Sequence, residues 1–105
     1  MKGIIWALNS KSGIKQLEKI EKDYNLYHIE TKRKIINQHG SFIEFENGDS
    51  WKMALACVSS KGHRANISYI QYGIDYEFID AVIRHSTTAY PFHAFNYFWG
   101  VEEEN

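Results

Sequence analysis

The sequence predicts an α+β fold (or a small α/β one) in which a mostly antiparallel, twisted sheet carries two helices on one face. Three observations predict it. Apolar residues at helical spacing occur twice, near each end of the chain. Between them lies a run of short segments with strand-like alternation. Within that run, Asn47-Gly48 is the strongest short hairpin signal, since a type I′ turn needs positive φ at both central residues. The expected order is β-α-β-β-β-β-α, followed by an aromatic C-terminal segment.

The elements follow in order. Gly3 to Leu8 is apolar and partly β-branched, as in a buried strand. Asn9 to Gly13 is a polar breaker. Ile14, Leu17, Ile20 and Tyr24 then share a helical stripe opposite Lys15, Glu18, Lys19 and Lys22. Ser12 is the expected N-cap, its hydroxyl accepting a free first-turn N–H. Glu18 and Lys22 form a favourable i,i+4 pair, and the helix should end near Asn25. Leu26 to Thr31 alternates as a second strand. Lys32-Arg33-Lys34 leads on to a turn at His39-Gly40. Strands over Ser41–Glu46 and Ser50–Val58 flank the hairpin, and another spans Asn66–Gln71. Asp75 to Ser86 reads as the second helix, with Ile74, Phe78, Val82 and His85 on one face. Pro91 stops any regular element there.

Length and composition bound the rest. A chain of 105 residues has room for one domain, here 1–105, with 87–105 an aromatic and then acidic segment. A fold of this size buries roughly 65% of its unfolded surface, enough for one core with little spare. Net charge is −1, which excludes a uniformly basic nucleic-acid binder and an acidic disordered chain. The charge is uneven, however. Residues 1–52 hold nine Lys/Arg against seven Asp/Glu, and residues 53–105 hold three against six. Cys57 stands alone, so no intrachain disulfide or CxxC zinc module forms, and a reducing cytoplasm is the expected compartment. The apolar run at the N-terminus is too short for a signal core or a membrane span.

Candidate chemistry is sparse. A phosphate-binding P-loop needs Gly-x-x-x-x-Gly-Lys-Ser/Thr, but Lys11-Ser12 precedes Gly13 here. The residual nucleotide-binding reading therefore rests on Asn9–Gly13 alone. Histidines 28, 39, 63, 85 and 93 are scattered, and Cys57 and His63 lack the further ligands a zinc site needs. Cys57 follows Ala54-Leu55-Ala56, the setting of a buried, inert thiol. Glu44 and Glu46 alternate along a hairpin strand, as on a solvated face. No catalytic set, metal or cofactor is expected.

One resemblance is present. Phe42-Ile43-Glu44-Phe45-Glu46-Asn47-Gly48-Asp49-Ser50, followed by Ser59-Ser60-Lys61-Gly62-His63-Arg64-Ala65-Asn66-Ile67-Ser68-Tyr69-Ile70, resembles the ATPase core of phage large terminases. That family joins an F-x-N-G-S hairpin to an Arg-Gly-x-Arg loop and an apolar strand ending in Asp-Glu. Those two acids hold Mg²⁺ and activate water. Gln71 and Tyr72 stand at the matching positions and do neither. The likeness covers about 30 residues, Phe42 to Tyr72. It implies a phage or mobile-element origin and a core without ATP hydrolysis.

Two surfaces remain as candidates. Lys32, Arg33, Lys34, Lys61 and Arg64 form a candidate nucleic-acid-binding set, because phosphates pair with such charges while bases stack on nearby rings. The stretch from Tyr90 to Trp99 holds six of the 16 aromatic residues, Tyr90, Phe92, Phe95, Tyr97, Phe98 and Trp99. These either fold onto the sheet or anchor a protein partner, since aromatic rings supply much of the energy at interfaces. The expected function is a non-catalytic macromolecule-binding protein of phage type. It would inhibit or adapt a nucleic-acid-processing complex in the host cytoplasm, in an anti-CRISPR-like role. The alternatives are direct nucleic-acid binding and residual nucleotide binding. Homodimerisation through the aromatic segment fits the same residues.

Overall fold

The computed structural model describes residues 1–37, 40–56, 65–83 and 95–100. In chain order these form β1 (Lys2–Ala7), α1 (Ser10–Leu26), β2 (Thr31–Ile35), β3 (Phe42–Phe45), β4 (Ser50–Leu55), β5 (Ile67–Gln71), α2 (Tyr76–Phe78) and β6 (Phe95–Trp99). A π-helical stretch, Ile79–Ile83, continues directly from α2. The α+β class and the element order hold, with the aromatic segment adding a sixth strand.

The strands join in one sheet, in the order β2-β3-β4-β1-β5-β6. The sheet is mixed rather than mostly antiparallel. Only β2–β3 and β3–β4 are antiparallel, whereas β1 lies parallel to both β4 and β5, and β5 parallel to β6. The sequence distinguishes hairpins from crossovers only where a tight turn is present, and Asn47-Gly48 marks the one clear case.

The two helical segments lie on opposite faces, not on one. Strand alternation sends Ile5 to a cluster with Leu17 and Ile20 of α1, together with Ile43, Phe45 and Trp51. Ile4 and Trp6 project the other way, into a cluster with Ala54, Ile70 and Ile83 that Phe78, Ile79 and Val82 pack against. Trp6 and Phe78 meet edge to face with ring centroids 5.7 Å apart. A central strand covered on both sides must be apolar throughout, which explains the unbroken run Ile4-Ile5-Trp6-Ala7.

Local chemistry sets the boundaries of α1. Asn9, not Ser12, is the N-cap: its side-chain oxygen accepts the Ser12 N–H at 2.9 Å. The buried stripe is Gly13, Leu17 and Ile20, with Tyr24 half-buried, so Gly13 takes the place expected of Ile14. A side chain at Gly13 would place its Cβ 2.4 Å from Met53 Cγ, so the glycine lets helix and sheet approach. At the other end the helix runs through Leu26, where a strand was expected. His28 takes φ +65°, and the N–H groups of Ile29 and His28 donate back to Tyr24 and Asn25 at 3.0 Å. That Schellman closure satisfies the final carbonyls and delays β2 until Thr31.

The β3–β4 hairpin forms where expected, but with a different turn. Gly48 N–H donates to the Phe45 carbonyl at 3.0 Å, and Phe45 N–H to the Asp49 carbonyl at 2.8 Å. Gly48 alone has positive φ, at +95°. This is a three-residue loop closed by a glycine bulge rather than a type I′ turn.

Candidate functional site

Alternation sorts the hairpin half of the sheet into two surfaces. Ile43, Phe45, Trp51 and Met53 face α1 or lie beside it. Phe42, Glu44, Ser50 and Lys52 face the other way, in register across β3 and β4. β1 adds Lys2, whose backbone partner is Ser50. β2 adds Arg33, opposite Glu44. The segment 76–83 covers this face only over β1, β4 and β5, through Ile4, Trp6, Ala54 and Ile70. No described element packs over the β2–β3–β4 end. A shallow hollow of about 350 Å³ remains there, lined by Lys2, Arg33, Phe42, Glu44, Ser50 and Lys52.

The hollow is cationic around an aromatic floor. The guanidinium carbon of Arg33 sits 5.0 Å from the centroid of the Phe42 ring, in cation–π range. Its Nε lies 3.7 Å from Glu44 Oε1, so the side chain is steered from two sides while 64% of it stays exposed. Burial lowers the Lys52 ammonium from its ordinary range, and the charge of Lys2 lowers it further. Among the described residues neither Lys2 nor Lys52 forms an ion pair. Three cations therefore share one carboxylate, and an anion in the hollow would relieve their repulsion.

The basic run expected at 32–34 is split by the pleat. Arg33 reaches the hollow. Lys34 points to the α1 side and donates to Glu21 Oε1 at 2.8 Å, while the Thr31 hydroxyl donates to Glu21 Oε2 at 2.6 Å. Lys34 is thus engaged in an ion pair with Glu21, and both it and Lys32 are exposed on the edge strand. Lys61 and Arg64 lie outside the described residues, as do Cys57 and His63. Lys2, Phe42, Ser50 and Lys52 escaped the sequence reading. The alternation of Phe42/Glu44 and Ser50/Lys52 was available as a signal. That Lys2 joins them depends on the parallel β1–β4 pairing.

The aromatic segment divides in the same way. Trp99 is partly buried against the α1-side cluster, and its indole N–H is buried without an acceptor among the described residues. Tyr97 is exposed and meets Tyr69 edge to face at 5.7 Å. Phe98 projects to the opposite face beside Tyr72, with ring centroids 5.0 Å apart and each residue 49% exposed. Phe95 lies in β6, but its side chain, like Tyr90 and Phe92 as a whole, is outside the described residues.

Asn9–Gly13 is the capped start of α1 rather than an extended loop. Only Leu8 and Asn9 separate β1 from α1, and the Gly13 N–H donates to the Asn9 carbonyl at 3.2 Å within the first helical turn. The Leu8 N–H is taken by Gln71 Oε1 at 2.8 Å. Gln71 thus ties β5 to the end of β1.

No protein-family model, curated protein or solved structure matches the chain. Among the described residues, no helix is long and apolar enough to cross a membrane.

Proposed function

We propose that this chain is a small, non-catalytic macromolecule-binding protein, and that its ligand is nucleic acid held on the half of the sheet face that no described element covers. One observation carries the reading: Lys2, Arg33 and Lys52 surround Phe42 in an open hollow, with Glu44 the only carboxylate in its lining among the described residues. A net charge of −1 does not oppose it, because a local positive field acts where the mean is neutral.

Fluorescence anisotropy with a labelled oligonucleotide at low salt tests the reading. Affinity should fall with salt, with a log–log slope near −2 for three neutralised phosphates on a single strand. Lys52→Glu and Lys2→Glu should each weaken binding and flatten that slope. Absence of binding at low salt removes the proposal.

A second reading keeps the chain as a phage-type inhibitor or adaptor of a nucleic-acid-processing complex, in an anti-CRISPR-like role. The exposed Tyr72–Phe98 pair supports it, since paired exposed rings suit a protein anchor. Under this reading Phe98→Asp abolishes recovery of a stoichiometric partner from host extract, and Lys52→Glu does not.

A further inference from the structure

We infer that the hollow takes a single strand in preference to a duplex, with one base seated on the outer face of the Arg33 guanidinium, above Phe42. The inference rests on the nucleic-acid reading and deepens it. A duplex offers phosphates to a protein surface and keeps its base faces stacked inside. It would use Lys2 and Lys52 and leave the Arg33–Phe42 pair idle. A single strand offers both charge and an unpaired ring.

The local geometry fits the second case. The Arg33 guanidinium carbon lies over the Phe42 ring, 5.0 Å from its centroid, on a side chain that is 64% exposed and so open to a further planar group. Guanidinium planes stack on bases as aromatic rings do. Glu44 and Phe42 already restrain the group, which reduces the side-chain freedom lost on binding. The hollow, at about 350 Å³, sits at the low end of small-ligand sites, roughly 300–1,000 Å³, and so suits one nucleotide unit. Lys2 and Lys52 lie on the neighbouring strands β1 and β4 beside Ser50. That places a hydroxyl and two ammonium groups next to the stack, where the phosphate following a seated base would lie.

The test titrates the full chain with a non-self-complementary single strand carrying 2-aminopurine, and with the duplex of the same sequence. Wild type should bind the single strand at least tenfold more tightly and quench the base analogue. Arg33→Lys keeps the charge and removes the stacking plane at an exposed position, so folding should be retained by circular dichroism. It should lose about tenfold in single-strand affinity, and the quenching, while duplex affinity and the salt slope stay unchanged. Equal affinity for the two forms, or equal loss in both with Arg33→Lys, overturns the stacked single strand and leaves the nucleic-acid reading standing. No binding of either form overturns both. Competition by heparin at equal charge as effective as by the single strand likewise overturns the base-stacking inference.

Discussion

The Tyr24 phenol donates a 2.7 Å hydrogen bond to Asp49 Oδ2, joining the last turn of α1 to the β3–β4 hairpin. The Tyr24 phenol oxygen in turn accepts the Trp51 indole N–H at 3.1 Å. The Tyr24 ring stacks on Phe45 with centroids 3.9 Å apart and planes 6° from parallel. One side chain therefore fixes where α1 lies on the hairpin. Tyr24→Phe keeps the stack but strips a partner from both Trp51 and Asp49. It should cost about 1–2 kcal/mol in urea denaturation. A cost near zero would mean that water replaces the hydroxyl at both groups.

Stability should fall at both ends of the pH scale, for reasons of opposite sign. Burial alone would raise the Asp49 carboxyl, but hydrogen bonds from Tyr24 and the Met1 amine outweigh it, and the net shift is down. Glu21 behaves alike, with burial outweighed by Lys34 and Thr31. A depressed carboxylate stabilises above its unfolded value, near 4, and loses that contribution as pH falls through the lower folded value. The denaturation midpoint should thus drop below about pH 4, and less steeply in Asp49→Asn. On the alkaline side, burial leads in pushing Tyr24 up to about 12, with the Asp49 charge adding to it. The unfolded chain then loses its proton first, so stability declines from about pH 10 toward the folded value. Tyrosinate absorbance across that range checks it.

Gly13→Ala should destabilise the protein even though alanine is the better helix former by about 1 kcal/mol. The new Cβ would meet Met53 Cγ at 2.4 Å and the Ala7 Cβ at 3.0 Å, so helix and sheet must separate or Met53 must move. The expected net cost is about 1–3 kcal/mol. A double-mutant cycle with Met53→Ala should show favourable coupling, because the truncation removes the closest clashing atom.

Neighbouring rings in β6 should respond in opposite ways. Trp99→Asp sets a charge against the α1-side cluster and should cost about 3 kcal/mol or more. Phe98→Asp changes an exposed side chain and should stay within about 0.5 kcal/mol of wild type. Thermal melts of the two variants separate packing from presentation. Similar melts would contradict the alternation in β6.

The helix at α1 was legible because Leu17, Ile20 and Tyr24 repeat at the helical period. The hairpin was legible because Asn47-Gly48 has few conformational options. Both signals are local. The helix ends were harder to place, since Asn9 and Ser12 offer equivalent capping oxygens and His28 gives no general sign of a left-handed closure. The basic run 32–34 shows a related limit of local signals: charges adjacent in sequence are on opposite faces of a strand.

By itself the sequence determined the α+β class, the order of elements and the alternation that places Phe42, Glu44, Ser50 and Lys52 on one face. Those properties depend on residue type and spacing along a few neighbouring positions. Only the tertiary structure decided that β1 runs between β4 and β5, that the helical segments take opposite faces, and that Lys2 and Arg33 converge on Phe42. Parallel pairing has no tight turn to announce it. Its register is set by which apolar faces bury together, and that is a property of the whole sheet.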